Sequence, residues 1–324
     1  MREGLRRWIA CLLLAVLVLL YFCSAAYASM DLQARFSSKS DIEHEGKTWR
    51  LRKRITTILF AGTDVTGKTE NSSVNAYRNG GQADFLLLVV VDDNRDTIQP
   101  IQINRDAMTE ITVLGVLGNV TGTRTAQICL AHSFGDGGEM SCELLSSAVE
   151  GYMLNVPVDH YIVMSLDGIA VFNDALGGIE VTLEDDLTAW DPALAQGKTV
   201  TLMGEQAEYF VRQRYYIGEQ TNISRMNRQK TYMKAAIEKL TKLTQQDKDY
   251  VFDLVDTIEP YLTTDLSSGR MINLLNEARD YEMLPIITPA GETVLGDDGF
   301  VQFHTDEEDL LRLVLDAFYE PAKK

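Results

Sequence analysis

The sequence predicts an α/β fold in which one domain carries a central mixed β-sheet covered by helices on both faces (α/β/α). Two long apolar runs, at residues 55–62 and 84–93, are typical of strands that are buried on both faces. Strand-like and helical patterns mix along the rest of the chain, and no internal repeat is present. The 324 residues, 45% of them hydrophobic, are enough to form a substantial core.

The first element is an N-terminal apolar segment, which is predicted to be a membrane anchor. Residues 8–28 carry no charge and follow three arginines, and about 20 apolar residues suffice to span a bilayer as a helix. Because positive residues stay on the cytoplasmic side, residues 1–7 are expected inside and the domain outside the cytoplasm, as a single-pass membrane protein. A secretory signal peptide, cleaved after Ala28, is the alternative, although the apolar run is long for one.

The remaining elements follow the anchor in order. Residues 29–54 are polar and mixed in charge, so they are predicted to be a juxtamembrane linker, and residues 55–324 form the predicted extracytoplasmic domain. Within the runs 84–93 and 97–104, residues 85–91 and 97–103 are expected to pair as a hairpin across the polar turn DDNRD. Further strands are predicted at 160–166 and 179–183, and helices at 141–153, 167–176, 224–243, 265–281 and 305–319. Residues 204–214 are predicted to begin as a helix, with an irregular end as the alternative to a helix throughout.

Charge and cysteine content exclude several classes of function. The formal net charge is −17, and a nucleic-acid partner would need a basic face, so we expect no nucleic-acid binding. Cys129 and Cys142 lie in the predicted exported part, where a disulfide between them is possible. Because no Cys/His metal spacing is present, a zinc site is not expected, and His132 is interpreted as a loop or core residue.

Acidic side chains at strand ends are the first candidates for chemistry. Asp64 follows the first strand and Asp84 begins the second, and two neighbouring carboxylates can share Mg²⁺ together with phosphate oxygens. Each aspartate alone is more often a turn or cap residue. Arg105 and Asp106 follow the hairpin, where the arginine could bind a phosphate and the aspartate accept a proton. A surface ion pair is the alternative for these two.

Four arginines within residues 212–229 form the second candidate site. Arg212 and Arg214 share one face if their segment is extended, and Arg225 and Arg228 share one face of the next helix. The second pair lies in the first helical turn, where the helix dipole already disfavours positive charge unless an anion binds there. A solvated face is the alternative, but Glu219 is the only acid in this stretch. The pattern therefore favours a phosphate or pyrophosphate site.

These motifs, in this order behind one membrane segment, resemble the LytR-CpsA-Psr (LCP) family of cell-wall proteins from about Ile55 to Leu243. The resemblance is carried by ILFAGTD, QADFLLLVVVD, INRDAM, LAHSFGDGG, LGGIEV, VRQR and RMNRQ. It implies a phosphotransferase that moves a glycopolymer from a polyprenyl-pyrophosphate carrier onto peptidoglycan through a phosphodiester, at the membrane and with Mg²⁺. A non-catalytic binder of lipid-linked glycan and a polyprenyl-pyrophosphate hydrolase are the alternatives.

The resemblance also implies roles for individual residues. Asp64 and Asp84 would be the Mg²⁺ ligands, and Asp106, next to Arg105, would accept a proton from the acceptor hydroxyl. The pyrophosphate would be bound by Arg105, Arg212, Arg214, Arg225, Arg228 and Gln229.

Three positions depart from the family pattern. Gln82 stands where the family often has arginine, Asn222 where it often has aspartate, and Asn104 where it usually has proline. The first two changes are expected to remove one phosphate contact and one carboxylate near the arginines.

Overall fold

A computed structural model describes residues 41–67, 80–115, 118–214, 222–247 and 249–322. The predicted anchor at 8–28 therefore lies outside the described residues. Within the described part of the chain, none of the helices combines the length and the apolar character needed to cross a bilayer. The chain divides into two compact units, the larger of which is residues 53–318. The described residues of the smaller unit are 41–52 and 319–322.

Fifteen strands and eight helices are found in the described ranges. The strands are β1 (Ile42–His44), β2 (Lys47–Leu51), β3 (Ile55–Thr63), β4 (Ala83–Asp92), β5 (Thr97–Gln102), β6 (Met108–Leu114), β7 (Val120–Gln127), β8 (His160–Met164), β9 (Ile179–Thr182), β10 (Thr199–Leu202), β11 (Leu262–Thr264), β12 (Glu282–Met283), β13 (Gly291–Leu295), β14 (Val301–Thr305) and β15 (Tyr319–Pro321). The helices are α1 (Leu130–Ser133), α2 (Glu139–Tyr152), α3 (Leu166–Ala175), α4 (Glu205–Arg212), α5 (Asn222–Gln246), α6 (Tyr250–Ile258), α7 (Ser268–Glu277) and α8 (Glu307–Phe318).

The smaller unit is a three-stranded antiparallel sheet in the order β1-β2-β15. Strands β1 and β2 lie within the segment that the sequence predicts to be a linker. Glu45 and Gly46, between the two strands, both have positive φ, which closes the tight turn. Arg50 binds Asp41 through two hydrogen bonds, of 3.0 and 2.8 Å, at an exposed position.

The centre of the larger unit is a six-stranded sheet in the order β11-β8-β3-β4-β5-β12. Strand β3 pairs antiparallel with β4 and parallel with β8, so the predicted mixed sheet is confirmed. Leu86, Leu87 and Leu88 are consecutive residues of β4 and all three are buried. Because successive side chains of a strand point to opposite faces, both faces of the sheet are covered at this strand.

The sheet brings the ends of several strands to one edge. Strand β3 ends at Thr63, the antiparallel β4 begins at Ala83, and β5 ends at Gln102. The loop residues that follow or precede these ends, among them Asp64, Gln82 and Arg105, are therefore neighbours in space. Helix α5 packs on α4 and on β9 around Phe210 and Tyr232, which fixes the positions of Arg212, Arg225 and Arg228.

Two of the strands that the sequence did not predict, β7 and β13, are largely exposed. Strand β7 is exposed along six of its eight residues and β13 along all five, so neither shows the apolar alternation that marks a strand. The helix predicted at 265–281 is shorter, because Ser267 caps its start by accepting a hydrogen bond from Arg270 N. Asp265 instead accepts a hydrogen bond from Tyr161 N at 2.9 Å.

Candidate active site

Asp84 lies between two guanidinium groups at the edge of the central sheet. Its Oδ1 forms an ion pair with Arg105 Nη1, and its Oδ2 lies 3.7 Å from Arg225 Nη1. The side chain of Asp84 is 24% exposed, whereas that of Arg225 is only 2% exposed. The sequence-predicted Asp84, Arg105 and Arg225 therefore do come together, at a point that solvent reaches through Asp84.

Arg105 is held in place by four neighbours. Besides Asp84, it contacts Asp106 Oδ1 through Nε at 3.3 Å and Cys129 Sγ through Nη2 at 3.2 Å. Its Nη2 also donates to Gln82 Oε1. Gln82 thus orients Arg105, and this is the contact made at the position where the family often carries arginine.

Arg225 is the most deeply buried arginine of the site. Its Nη2 donates to Asn222 Oδ1 at 2.6 Å, while its buried Nε lacks a hydrogen-bond partner among the described residues. Burial, and then the positive charges of Arg214 and Arg105, lower the pKa of Arg225 to about 9. The protein therefore disfavours this positive charge in the absence of a bound anion, as the position at a helix N-terminus also predicts.

The two remaining departures from the family pattern contact each other. Asn222 Nδ2 donates to Asn104 Oδ1 at 2.6 Å, and the same oxygen accepts a hydrogen bond from Asp106 N at 3.0 Å. A buried amide network consequently connects the loop after β5 with the first turn of α5. It ends at Arg225, which is oriented by the Asn222 side chain.

Arg228 and Gln229 are occupied by protein groups. Arg228 donates to Phe210 O at 2.9 Å, to Asp185 Oδ2 at 2.6 Å, to Ser224 Oγ at 3.1 Å and to Gln213 O. Four of its five N–H groups can be assigned to these partners. Gln229 donates to Val211 O at 3.1 Å and accepts from Gln102 Nε2 at 3.0 Å. The geometry ties the end of α4 to α5 through these two side chains, and their predicted pyrophosphate contacts remain predictions.

Arg212 and Arg214 differ in their surroundings. Helix α4 ends at Arg212 and Gln213 is extended, so the two arginines do not lie on a common strand face. Arg212 is 40% exposed and pairs with Glu208 at 2.9 Å. Arg214 has no hydrogen bond or ion pair with any described residue, and it is close enough to Arg225 to lower its pKa. Among the described residues, no side chain competes with a ligand for Arg214.

Asp64 is linked to the site through Gln82. Its backbone N donates to Gln82 O at 3.1 Å, and its Oδ1 accepts from Gln82 N at 2.7 Å. The side chain is exposed and its Oδ2 has no described partner. No group of three or more His, Cys, Asp or Glu side chains arranged to hold a metal occurs in the described ranges. Protein carboxylates alone would thus supply at most two ligands, from Asp64 and Asp84.

The cysteines and His132 have structural surroundings. Cys129 and Cys142 are buried free thiols, so the possible disulfide is not formed in this structure. Burial raises the pKa of Cys129 to about 11, although Arg105 opposes the shift. His132 is buried with its Nδ1 3.1 Å from Gly81 O, and burial lowers its pKa.

Several residues that build the site carry no sequence signal. Asp185 neutralises Arg228 and Gln102 supports Gln229, but neither stands in a recognisable motif. Asn104 and Asn222 are visible in the sequence only as departures from the family pattern. Their mutual contact joins residues 118 positions apart.

The sequence profile described as the LytR_cpsA_psr family matches residues 19–311 of the chain. A curated relative from Bacillus anthracis, named polyisoprenyl-teichoic acid–peptidoglycan teichoic acid transferase TagU, is 26% identical over 226 residues. The matched stretch covers 69% of this chain and 64% of that relative. A protein of the same name from Halalkalibacterium halodurans is 24% identical, with 68% and 64% covered. The chain thus spans somewhat less than two thirds of the length of these relatives.

Solved structures share the fold. The protein gbs0355 from Streptococcus agalactiae superposes with a TM-score of 0.66 at 21% identity, covering 84% of this chain and 90% of the other. TagT of B. subtilis gives a TM-score of 0.60 at 21% identity, with 82% and 90% covered. A structure of TagT bound to LI-WTA gives 0.61 at 22% identity, with 82% and 90% covered.

Proposed function

The chain belongs to the LytR_cpsA_psr family, and we propose that it is a phosphotransferase of cell-wall assembly. It would move a glycopolymer from a polyprenyl-pyrophosphate carrier onto peptidoglycan and leave the two joined by a phosphodiester. The observation that carries this proposal is the position of Asp84 between Arg105 and the buried Arg225. The TagU relatives, which are named as transferases of this kind, support it.

The arginines explain how a pyrophosphate would bind. Burial of the Arg225 charge is energetically unfavourable. Only two carboxylates, of Asp84 and Asp106, balance the three positive charges of Arg105, Arg225 and the nearby Arg214 among the described residues. A pyrophosphate would bring the missing negative charge, and guanidinium groups bind phosphate oxygens with paired hydrogen bonds. Arg105, Arg214 and Arg225 are the proposed direct contacts, because Arg105 and Arg225 flank the partly exposed Asp84 and Arg214 has no described hydrogen bond or ion pair.

Asp64 and Asp84 are the proposed Mg²⁺ ligands. Both carboxylates are accessible to solvent, and Mg²⁺ typically takes one or two carboxylates together with phosphate oxygens and water. When bound, the cation would offset negative charge on the phosphate oxygens. Asp64 Oδ2 has no described partner, whereas both oxygens of Asp84 face arginines. Asp84 is therefore freed for a metal only when a pyrophosphate engages those arginines.

The transfer exchanges one P–O bond for another. A hydroxyl oxygen of peptidoglycan bonds to the phosphorus that carries the glycopolymer, and the bond from this phosphorus to the bridging oxygen breaks. Polyprenyl phosphate leaves with the electron pair of that bond, and the hydroxyl proton passes to a carboxylate. Charge neutralisation and positioning are the main demands of such a step, and the arginines supply both.

The family resemblance implies that Asp106 accepts this proton. Its side chain is only 5% exposed and contacts Arg105 Nε, which supports a role in orienting that arginine. Asp84, at 24% exposed, is the carboxylate of this group that solvent reaches more readily, which fits its proposed role as a Mg²⁺ ligand. We therefore propose that Asp106 orients Arg105 and accepts the proton, because a catalytic contact can form only when the substrate binds.

Residues 8–28 would anchor the protein in the membrane with its N-terminus inside and the domain outside, where the lipid-linked donor is exposed. A direct test supplies the full-length protein with a polyprenyl-pyrophosphate oligosaccharide, a peptidoglycan oligomer and Mg²⁺, and analyses the products by mass spectrometry. We expect a phosphodiester-linked product that is lost in Asp84→Asn. Free phosphorylated glycan formed without acceptor would indicate a hydrolase instead, and binding without turnover would indicate a non-catalytic binder.

A further inference from the structure

A cavity of about 540 Å³ opens beside the candidate active site. Its size lies within the range of about 300–1,000 Å³ that is usual for small-molecule sites. It is lined by Asp64, Gly81, Gln82, Arg124, Leu130, Ser133 and Phe134. We propose that this cavity binds the acceptor, a peptidoglycan fragment, through a carboxylate that Arg124 recognises. The proposal rests on the proposed function.

One wall of the cavity is part of the candidate active site. Gln82 lines the cavity and accepts a hydrogen bond from Arg105, and Asp64 beside it is a proposed metal ligand. A ligand in the cavity is thus separated from the Arg105–Asp84 pair by one side chain. This distance suits an acceptor hydroxyl, because group transfer requires the hydroxyl oxygen and the phosphorus to be nearly in contact.

A glycine allows the loop before β4 to pack closely against Asp64 and Val65. Gly81 has φ +73°, and a Cβ atom there would lie 2.3 Å from Val65 Cγ2 and 2.8 Å from Asp64 Oδ1. Ser133 Oγ donates to Gly81 O at 2.8 Å. The strand-end loop and α1 are therefore fixed against each other, and the cavity is part of the folded site.

The lining of the cavity also includes a cation that has no acidic partner among the described residues. Arg124 lies on β7 and is exposed, and its guanidinium carbon is 5.1 Å from the centroid of the Phe134 ring. No hydrogen bond or ion pair joins it to any described residue. An aromatic ring beside a guanidinium restrains it without neutralising its charge. In a chain with a net charge of −17, an unneutralised arginine in a cavity indicates a negatively charged ligand.

The lining of the cavity, which is partly apolar and partly charged, indicates which of the three groups, the polyprenyl chain, the pyrophosphate or peptidoglycan, binds there. A polyprenyl chain needs a continuous apolar surface, and this cavity combines apolar Leu130 and Phe134 with charged Asp64 and Arg124. The pyrophosphate is already assigned to Arg105, Arg214 and Arg225. The remaining reactant is peptidoglycan, whose muramyl residues carry peptides that end in carboxylates. A glycan unit with one such carboxylate matches the charge, the polarity and the volume of the cavity.

Binding of a soluble muropeptide, a disaccharide with an attached tetrapeptide, to the full-length protein tests this proposal without requiring turnover. We expect Arg124→Gln to weaken binding at least tenfold, and amidation of the muropeptide carboxylates to weaken binding to the wild type similarly. Arg270→Gln, which removes another exposed arginine of the larger unit, should bind like the wild type. A second variant, Phe134→Leu, keeps an apolar side chain and should weaken binding less than Arg124→Gln.

The outcomes separate this proposal from the proposed function. Unchanged muropeptide affinity in Arg124→Gln, with a normal thermal midpoint, would overturn the acceptor site even if the protein transfers glycopolymer. Loss of muropeptide binding in Arg124→Gln would support the acceptor site even if no transfer product forms. Equal binding of the amidated and unmodified muropeptides would overturn the role of the carboxylate.

Discussion

Asn222 Nδ2 donates a hydrogen bond of 2.6 Å to Asn104 Oδ1, so two residues that depart separately from the family pattern form one contact. Both side chains are buried. Asn104 also accepts a hydrogen bond from Asp106 N, and Asn222 also accepts one from Arg225. The two asparagines therefore link the loop that carries Asp106 to the helix that carries Arg225.

A double-mutant cycle tests this link. Asn104→Ala and Asn222→Ala should each lower the free energy of unfolding by about 1–3 kcal/mol, because each leaves a buried polar partner unpaired. The double variant should cost less than the sum, with a coupling of at least about 0.5 kcal/mol. Denaturant unfolding of the three variants gives these values, and strict additivity would show that the contact does not stabilise the protein.

Arg214 and Arg228 are predicted to act in opposite ways. Arg228→Ala leaves the partly buried Asp185 without its cationic partner, and removal of one partner of such a pair costs about 3–5 kcal/mol. We therefore expect a large fall in the thermal midpoint.

Arg214→Ala removes no described contact, and we expect an unchanged thermal midpoint. Its affinity for inorganic pyrophosphate should nevertheless fall about tenfold, which is the loss of roughly one charge-assisted contact of 1.4 kcal/mol. If Arg214→Ala binds pyrophosphate like the wild type, Arg214 is not a ligand-binding residue.

Binding of Mg²⁺ should depend on pyrophosphate. In the structure, the Asp84 carboxylate faces Arg105 and Arg225, so Mg²⁺ alone should barely raise the thermal midpoint. Pyrophosphate alone should raise it, and the two together should raise it by more than the sum of their separate effects, because each ligand favours the other. Asp64→Asn is the control, in which the additional shift should disappear. A midpoint raised equally by Mg²⁺ in the absence and presence of pyrophosphate would contradict the proposed ligands.

The raised pKa of the Cys129 thiol predicts that the free energy of unfolding falls at alkaline pH. Its pKa is raised from 9.0 to about 11 in the folded protein, so the unfolded chain loses this proton first. The resulting stabilisation is complete below pH 9 and is lost as the pH rises towards 11. Between pH 8 and 10.5 the wild type should therefore lose about 2 kcal/mol more of its free energy of unfolding than Cys129→Ala does. Parallel losses in both proteins would show that Cys129 ionises as easily in the folded protein as in the unfolded chain.

The buried strands and the long helices could be predicted from the sequence because they carry local patterns. The apolar runs at 55–62 and 84–93 correspond to β3 and β4, and the helix predicted at 224–243 corresponds to α5, which begins two residues earlier and ends three later. Strands β7 and β13 could not be predicted, because their side chains are exposed and pairing alone defines them.

The candidate site was only partly predictable. The grouping of Asp84, Arg105 and Arg225 followed from the ordered motifs. The partners of these residues did not, because the contacts of Arg228 with Asp185 and of Asn222 with Asn104 join residues 43 and 118 positions apart. Periodicity within one helix or strand contains no information about such contacts.

The central claim is that the buried Arg225 provides positive charge for phosphoryl transfer. The most direct measurement is the initial rate of phosphodiester formation by the full-length wild type and by Arg225→Ala, with Arg270→Ala as the surface control and thermal midpoints recorded for all three. We predict that Arg225→Ala loses about 100-fold or more in rate, as is typical when one charge-stabilising group is removed from an active site, and that Arg270→Ala matches the wild type. A folded Arg225→Ala variant that transfers at the wild-type rate would contradict the account.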